Sequence, residues 1–514
     1  MNKNPNILIF MTDQQNGRTI SGQSHHRAKT PHLDAYRQKA VSFINAFSPS
    51  PHCCPSRVSF FTGRYPSEHG VWNNVNVSNA LTRGPRDKTP FWSNDLRAAG
   101  YDLAFAGKWH VSNWQTPSDY GWQELLVTSP GFGSGLSLEA QREEARSREL
   151  SVFEGHEPHT GSRRPGEVIR PGWPGYLHYG TAQDPFGDGQ VVESAIHHMR
   201  SKLANKADPW CMYVGTLGPH DPYTPPQEFL DLYDPADISL PPSFNDTMDD
   251  KPGLYSRTRD RFDQLTQDEH REALRHYLAF CSYEDALFGR LLTTLEKTGQ
   301  AEDTIVLYLS DHGDYAAEHG LWGKGLPSFQ SAYRVPLVIG GPNVVRARQG
   351  QVCERPTSLV ELGETIKELA GVSAQSQELT QFLTQADPLV TSQSDVFFQS
   401  NGNEAYGVQR AVMSDGWKLV YNMFDHDELY NLNDDPDEVL NLLVKPKGQR
   451  ELGRGPLDVI PKDLHSVVEA LYKKLWTFGL SHNDENINDY ILTALAPFGP
   501  GIAQRVSSTK GNGT

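Results

Sequence analysis

Short apolar runs, each of strand length and each running into a loop crowded with ionisable residues, recur along this chain. Ile7-Leu8-Ile9-Phe10-Met11, Asp102-Leu103-Ala104-Phe105-Ala106, Trp210-Cys211-Met212-Tyr213-Val214 and Thr304-Ile305-Val306-Leu307-Tyr308-Leu309 alternate with helical patterns over most of the first 380 residues. That alternation predicts an α/β fold in which a large, mainly parallel mixed sheet is sandwiched by helices. Ligands of open α/β sheets gather beyond the carboxyl ends of the strands, where these polar loops lie. A helix is expected over His32 to Ala40, with Pro31 near its start and Thr30 as N-cap.

Residues from about 130 to 185 read differently, being rich in Gly, Pro and charge, as in Gly131-Phe132-Gly133-Ser134-Gly135 and Pro171-Gly172-Trp173-Pro174-Gly175. They predict an ordered insertion or lid within a catalytic domain spanning 1–385. Over 386–514 the pattern changes to a smaller antiparallel subdomain. Its centre is a hairpin, Gln409 to Ser414 and Trp417 to Met423, turned by Asp415-Gly416. A long polar helix from Lys462 to Trp476 and a Gly/Ser/Thr-rich tail after Pro500 complete it.

With 47 Lys+Arg against 63 Asp+Glu, the net charge of −16 argues against a nucleic-acid partner. No apolar stretch approaches the ~20 residues that span a bilayer, so no membrane partner is expected. Five cysteines are too few and odd in number for a disulfide framework. The first strand follows directly on Met1-Asn2-Lys3-Asn4-Pro5, which makes cytoplasmic residence the default, with periplasmic or secreted residence if a leader has been removed. The oligomeric state is not legible.

The densest motif is Cys53-Cys54-Pro55-Ser56-Arg57-Val58-Ser59-Phe60-Phe61-Thr62-Gly63-Arg64. A lone Cys-Cys pair before a helix is ordinarily two buried thiols. The full pattern resembles the sulfatase signature C-x-P-S-R followed by T-G-R, in which the first Cys is converted enzymatically to formylglycine. Pro lies two and Arg four residues beyond Cys53, and the same offsets fail from Cys54; Cys53 is therefore the modified position, and a formylglycine-generating enzyme is the implied maturation partner. A Ser or Cys nucleophile would be left as a stable ester after taking a sulfuryl group. A hydrated aldehyde offers one hydroxyl to attack sulfur and a second to expel sulfate as the carbonyl re-forms. Arg57, one helical turn on, adds positive charge where anion accumulates.

The resemblance implies an alkaline-phosphatase-like fold and further site residues. Two loops hold one divalent metal beside formylglycine, which carries over to Asp13, Gln14, Asp311 and His312 together with Cys53. Gln14 stands where many members place a second Asp, and His312 where many place Asn. Calcium is the first expectation, with Mg, Mn or Zn open because of the imidazole. Gly107-Lys108-Trp109-His110 resembles the family's G-K-x-H, Gly218-Pro219-His220-Asp221-Pro222-Tyr223 its H-x-P-[YF] loop, and His319-Gly320-Leu321-Trp322-Gly323-Lys324 its H-G-x-x-G-K segment. By family analogy Lys108 and Lys324 grip sulfate oxygens, His110 takes the proton that collapses the intermediate, and His220 with Lys324 protonates the leaving alcohol. His319 is a substrate contact or a support.

The insertion carries Arg163, Arg164 and Arg170 among Trp173, Tyr176, His178 and Tyr179, a combination suited to stacking on sugar rings and pairing with anionic groups. The expected substrate is a sulfated glycan such as chondroitin, dermatan or heparan sulfate chains or oligosaccharides. Choline sulfate and aryl sulfates are the rivals, as are phosphonate monoesters and phosphodiesters of the same superfamily. A non-catalytic glycan-binding relative is the alternative of a different class.

Overall fold

The computed structural model describes residues 4–501 apart from 21–25, most of 129–161, 170–175, 205, 345–347, 374–376, 386–393, 404 and 444–461. The Gly-rich start of the insertion, Arg170, Trp173, the boundary expected after 385 and most of the tail lie outside the described residues. The main sheet consists of β1 (Asn6–Thr12), β2 (Ala40–Phe43), β3 (Asp102–Lys108), β4 (Gln123–Thr128), β5 (Trp210–Gly215), β6 (Thr304–Ser310), β7 (Leu337–Gly340) and β8 (Val352–Cys353). Their spatial order is β8-β2-β7-β6-β1-β5-β3-β4. β6, β1, β5 and β3 are parallel neighbours, while β7 runs antiparallel between β2 and β6.

The apolar runs are continuous because each strand is covered on both faces. Ile7, Ile9 and Met11 point into one core with Phe60 and Phe61, and Leu8 and Phe10 into the other with Val191, Ala195, Phe288 and Leu291. Helix α1 (Pro31–Arg37) ends sooner than the sequence predicts, since Ala40 already belongs to β2, paired with Gly340. Its N-terminus is also held differently. Thr30 makes no side-chain cap bond; the Asp285 carboxylate accepts from His32 N–H at 3.0 Å and Leu33 N–H at 2.7 Å, so a distant helix takes the orphan donors of the first turn.

The other helices that matter here are α2 (Cys53–Thr62), which ends at left-handed Gly63, α3 (Asp188–His198), and α4 (Gln267–Lys297), which opens on a Thr266/Glu269 capping box. After them β9 (Val396–Gly402), β10 (Tyr406–Ser414), β11 (Trp417–Asn422) and β12 (Glu428–Asn431) form the antiparallel C-terminal sheet. Ser414 pairs with Trp417 across Asp415 and Gly416, both at positive φ (50° and 78°), as a tight two-residue hairpin demands. The final helix α5 (His465–Ser481) is not polar all round: it buries Val468, Leu471, Tyr472, Leu475 and Trp476 at helical spacing, against Val412, Leu419 and Tyr421 of the sheet. Among the described residues no helix is long and apolar enough to cross a membrane. All five cysteines are buried and free.

Candidate active site

Four neighbouring strands deliver the site. Thr12 of β1 pairs with Ser310 of β6, so Asp13 and Asp311 leave the sheet side by side. On the other flank Met11 pairs with Gly215 of β5, and Asp13 N–H donates to Gly218 O at 3.0 Å, which ties the first loop to the loop of His220. Gly107 of β3 pairs with the same Gly215, and a Cβ on Gly107 would stand 1.8 Å from Gly215 O; only glycine permits the close strand pairing that leads to Lys108 and His110. Cys53 enters as the first residue of α2, at the positive end of the helix dipole.

One ligand atom each from Asp13, Cys53, Asp311 and His312 falls within 4.8 Å of all the others, and all four residues are buried. His312 Nε2 lies 3.1 Å and Asp13 Oδ1 3.7 Å from Cys53 Sγ. His312 Nδ1 is 2.9 Å from the Gly313 carbonyl oxygen, which can only accept, so the ring hydrogen sits on Nδ1 and the Nε2 lone pair faces the cluster. Two carboxylates, an imidazole lone pair and residue 53 converging from separate loops make a donor set that fits a divalent cation.

Cations surround this group. Arg57 Nε donates to Asp311 Oδ2 at 2.8 Å and Nη1 to Tyr213 Oη at 2.9 Å, while Nη2 is buried without a hydrogen bond, 3.9 Å from Asp13 Oδ2. The Lys108 ammonium is paired with Asp13 Oδ2. Burial pushes the Cys53 thiol up, but Lys108, Lys324 and His312 outweigh it and bring its pKa well below the usual thiol value. Cys54 goes the other way, raised by burial. Burial opposes protonation of His312, yet Asp311 carries it up to about 9, so a cation at Nε2 would have to displace a proton there.

The second tier stands on the rim. His220 Nδ1 lies 2.7 Å from Asp221 O, and its Nε2 is 2.8 Å from Lys324 Nζ. Burial and Lys324 depress His220, but Asp221, Asp13 and Cys53 raise it overall. Asp221 in turn accepts from Tyr176 Oη at 2.7 Å and from Gln14 Nε2 at 3.1 Å. His110 is 8% exposed; its Nε2 meets Asn76 Oδ1 at 2.8 Å, its Nδ1 is buried without a hydrogen-bond partner, and Cys53 is among the neighbouring groups that act on the ring. Burial, then Lys108, keeps this imidazole low in pKa. Gln14 and His110 both hold positive φ (66° and 52°), a strain of the kind concentrated at functional sites.

Cys53, Arg57, Lys108, His110, His220, Lys324, Asp13, Asp311 and His312 are thus brought together. Gln14 is close by, its N–H donating to Asp311 Oδ1 at 3.2 Å; its Oε1 accepts from Lys324, and its Nε2 donates to Asp314 at 2.7 Å as well as to Asp221, so the amide bridges two loops. His319 is fully buried, with Nδ1 2.7 Å from Asp246 Oδ2 and its ring stacked 3.6 Å from Phe329, an arrangement that fits the supporting one of its two expected roles. Arg163 makes two 2.6 Å bonds to Glu269, and Arg164 pairs with Glu167 at 3.1 Å. Both guanidinium groups are paired with protein carboxylates. Tyr213, Asp221, Asp314 and Asn76 line the site and were passed over by sequence reasoning; Asp221 sits inside a motif already singled out, Asp314 follows His312 two residues on, and Tyr213 and Asn76 carry no local signal.

The family model described as Sulfatase matches residues 5–372. The chain is 29% identical over 471 residues to the choline-sulfatase of Rhizobium meliloti (strain 1021), covering 86% of this chain and 83% of that protein. Among solved structures it resembles the phosphonate monoester hydrolase of Agrobacterium radiobacter, with a TM-score of 0.69, 20% identity, and coverage of 93% and 96%. It also resembles a structure in complex with its substrate D-glucosamine-2-N,6-O-disulfate, with a TM-score of 0.62, 18% identity, and coverage of 95% and 100%.

Proposed function

The chain belongs to the sulfatase family, and from that membership and the site geometry we propose that it hydrolyses sulfate monoesters with residue 53 as formylglycine. The observation that carries the reading is the convergence of Asp13, Cys53, Asp311 and His312 within one buried group. A divalent cation held there would polarise a sulfate oxygen and favour ionisation of the aldehyde hydrate; carboxylates suit Ca and Mg, and imidazole extends the range to Mn and Zn.

The chain's own residues supply the remaining chemistry. Lys108 and Lys324 flank residue 53 and hold the equatorial sulfuryl oxygens as charge accumulates there. Arg57 fixes the Asp311 carboxylate from behind. His220, sharing a proton with Lys324 across 2.8 Å, donates to the departing alcohol oxygen. His110 Nδ1 takes the proton from residue 53 that releases sulfate.

For the alcohol half we propose a sulfated sugar. Support comes from the structural neighbour solved with a glucosamine disulfate. The test pairs peptide mass over Cys53 with turnover of sulfated oligosaccharides, choline sulfate, an aryl sulfate and a phosphonate monoester. Formylglycine and a clear preference for sulfated sugars are expected. An unconverted thiol in active enzyme would overturn the nucleophile, and preference for choline sulfate would overturn the substrate class.

A further inference from the structure

Asn76 lies exposed on a loop, yet the backbone around it is pinned at every step. Arg83, 1% exposed, donates to Val75 O at 2.8 Å, Val77 O at 2.7 Å and Ser78 O at 3.1 Å. Val75 N–H donates to Cys54 Sγ at 3.4 Å. Asn74 accepts from Cys54 N–H at 3.1 Å and receives Asn403 Oδ1 on its own N–H at 2.9 Å. One buried guanidinium, the helix of Cys53 and the C-terminal sheet therefore hold a surface segment still. The side chain so fixed is Asn76, whose Oδ1 lies 2.8 Å from His110 Nε2.

We propose that Asn76 is a positioning residue that sets the tautomer of His110, keeping the hydrogen on Nε2 and the Nδ1 lone pair bare toward residue 53. An amide oxygen can only accept, so Nε2 must donate to it. The base function rests on the reading of residue 53 given above. In that step the residue-53 hydroxyl gives its proton to Nδ1 and its O–H electron pair forms the carbonyl. The bond from the same carbon to the sulfate-bearing oxygen breaks, and sulfate leaves with that oxygen. Asn76 then faces an imidazolium, to which its oxygen remains a good acceptor. With the other tautomer, Nδ1 would carry hydrogen and could take no proton.

Histidine-selective nitrogen NMR on the purified enzyme, with His110 assigned by difference from His110→Gln, reads the tautomer directly and does not depend on turnover. The expected result is hydrogen on Nε2 in the parent and in Asn76→Asp, with Asn76→Leu shifting to a mixture or to Nδ1–H. In rapid mixing, Asn76→Leu should lower kcat about 10- to 100-fold with KM little changed, and should release alcohol in a burst ahead of sulfate; Asn76→Asp should stay within a few-fold of the parent. Hydrogen on Nδ1 in the parent would overturn the proposal. So would Asn76→Asp behaving like Asn76→Leu, or alcohol and sulfate release slowing in step. Full turnover in Cys53→Ala would remove the base function alone and leave the tautomer assignment standing on the NMR.

Discussion

Replacing His220 with alanine tests the proton inventory of the leaving group. His220 is anchored through Nδ1 on Asp221 O and faces Lys324 at 2.8 Å, so the variant loses the imidazole but keeps an ammonium beside the departing oxygen. General acids contribute roughly 10²- to 10⁴-fold. With Lys324 retained the loss for a sugar or alkyl sulfate should fall at the lower end, about 10²-fold, which is ~2.7 kcal/mol of transition-state stabilisation. An activated aryl oxide needs no proton to depart and should lose only a few-fold. The assay is kcat/KM across sulfate esters of graded leaving-group basicity, with melting temperature as a check on folding. Log rate should fall more steeply with leaving-group pKa in the variant than in the parent. Parallel lines would refute the assignment, because they would mean that His220 serves all substrates equally, by binding or by structure.

Cys53→Ala and Cys53→Ser should abolish turnover without disturbing the melt, while Cys54→Ala keeps turnover at a cost of about 1–2 kcal/mol for a small buried cavity, read from denaturant unfolding. Elemental analysis should find one divalent ion per chain in the parent, removable by chelator with loss of turnover and of melting temperature, and Asp311→Asn should fail to retain it. In the C-terminal sheet, burial pushes the Asp427 carboxyl up to about 7, against the pull of Tyr472 and Asn422. A raised carboxyl pKa stabilises the fold fully below the unfolded value near 3.9 and ceases to do so as pH rises through about 7. The slope is at most ~1.4 kcal/mol per pH unit, less here because Asp427 is only half-buried. Asp427→Asn should flatten that decline in denaturant melts between pH ~4 and ~7, and an unchanged slope would dismiss the carboxyl as its source.

The parallel core was legible because strands covered on both faces must be apolar throughout, and the site because it lies where those strands end. Pairing of Thr12 with Ser310 makes the adjacency of two aspartates a matter of register, although 298 residues separate them in sequence. What could not be read locally was set by partners far along the chain. Asp285 displaced Thr30 as the cap of α1, and Glu269 claimed the guanidinium of Arg163. Gln14 illustrates the same limit: Asp221 on one loop, and Asp314 and Lys324 on another, determine where its amide points. The terminal helix was misjudged for a simpler reason, since its Lys and Glu residues hide an apolar stripe that appears only at helical spacing.

The electrostatics of residue 53 would give the proposed conversion a second consequence beyond nucleophilicity. Lys108 and Lys324 are the foremost groups that lower the thiol's pKa, and they are also the cations proposed to receive sulfate oxygens. As a thiolate, residue 53 would place a negative charge against both ammonium groups and repel an anionic ester at the point of attack. Conversion to an uncharged aldehyde hydrate removes that charge at a buried position, where screening is weak, and frees the field of both lysines for the substrate. A chain with a net charge of −16 would then bind an anion through a local excess of positive charge that the proposed conversion increases.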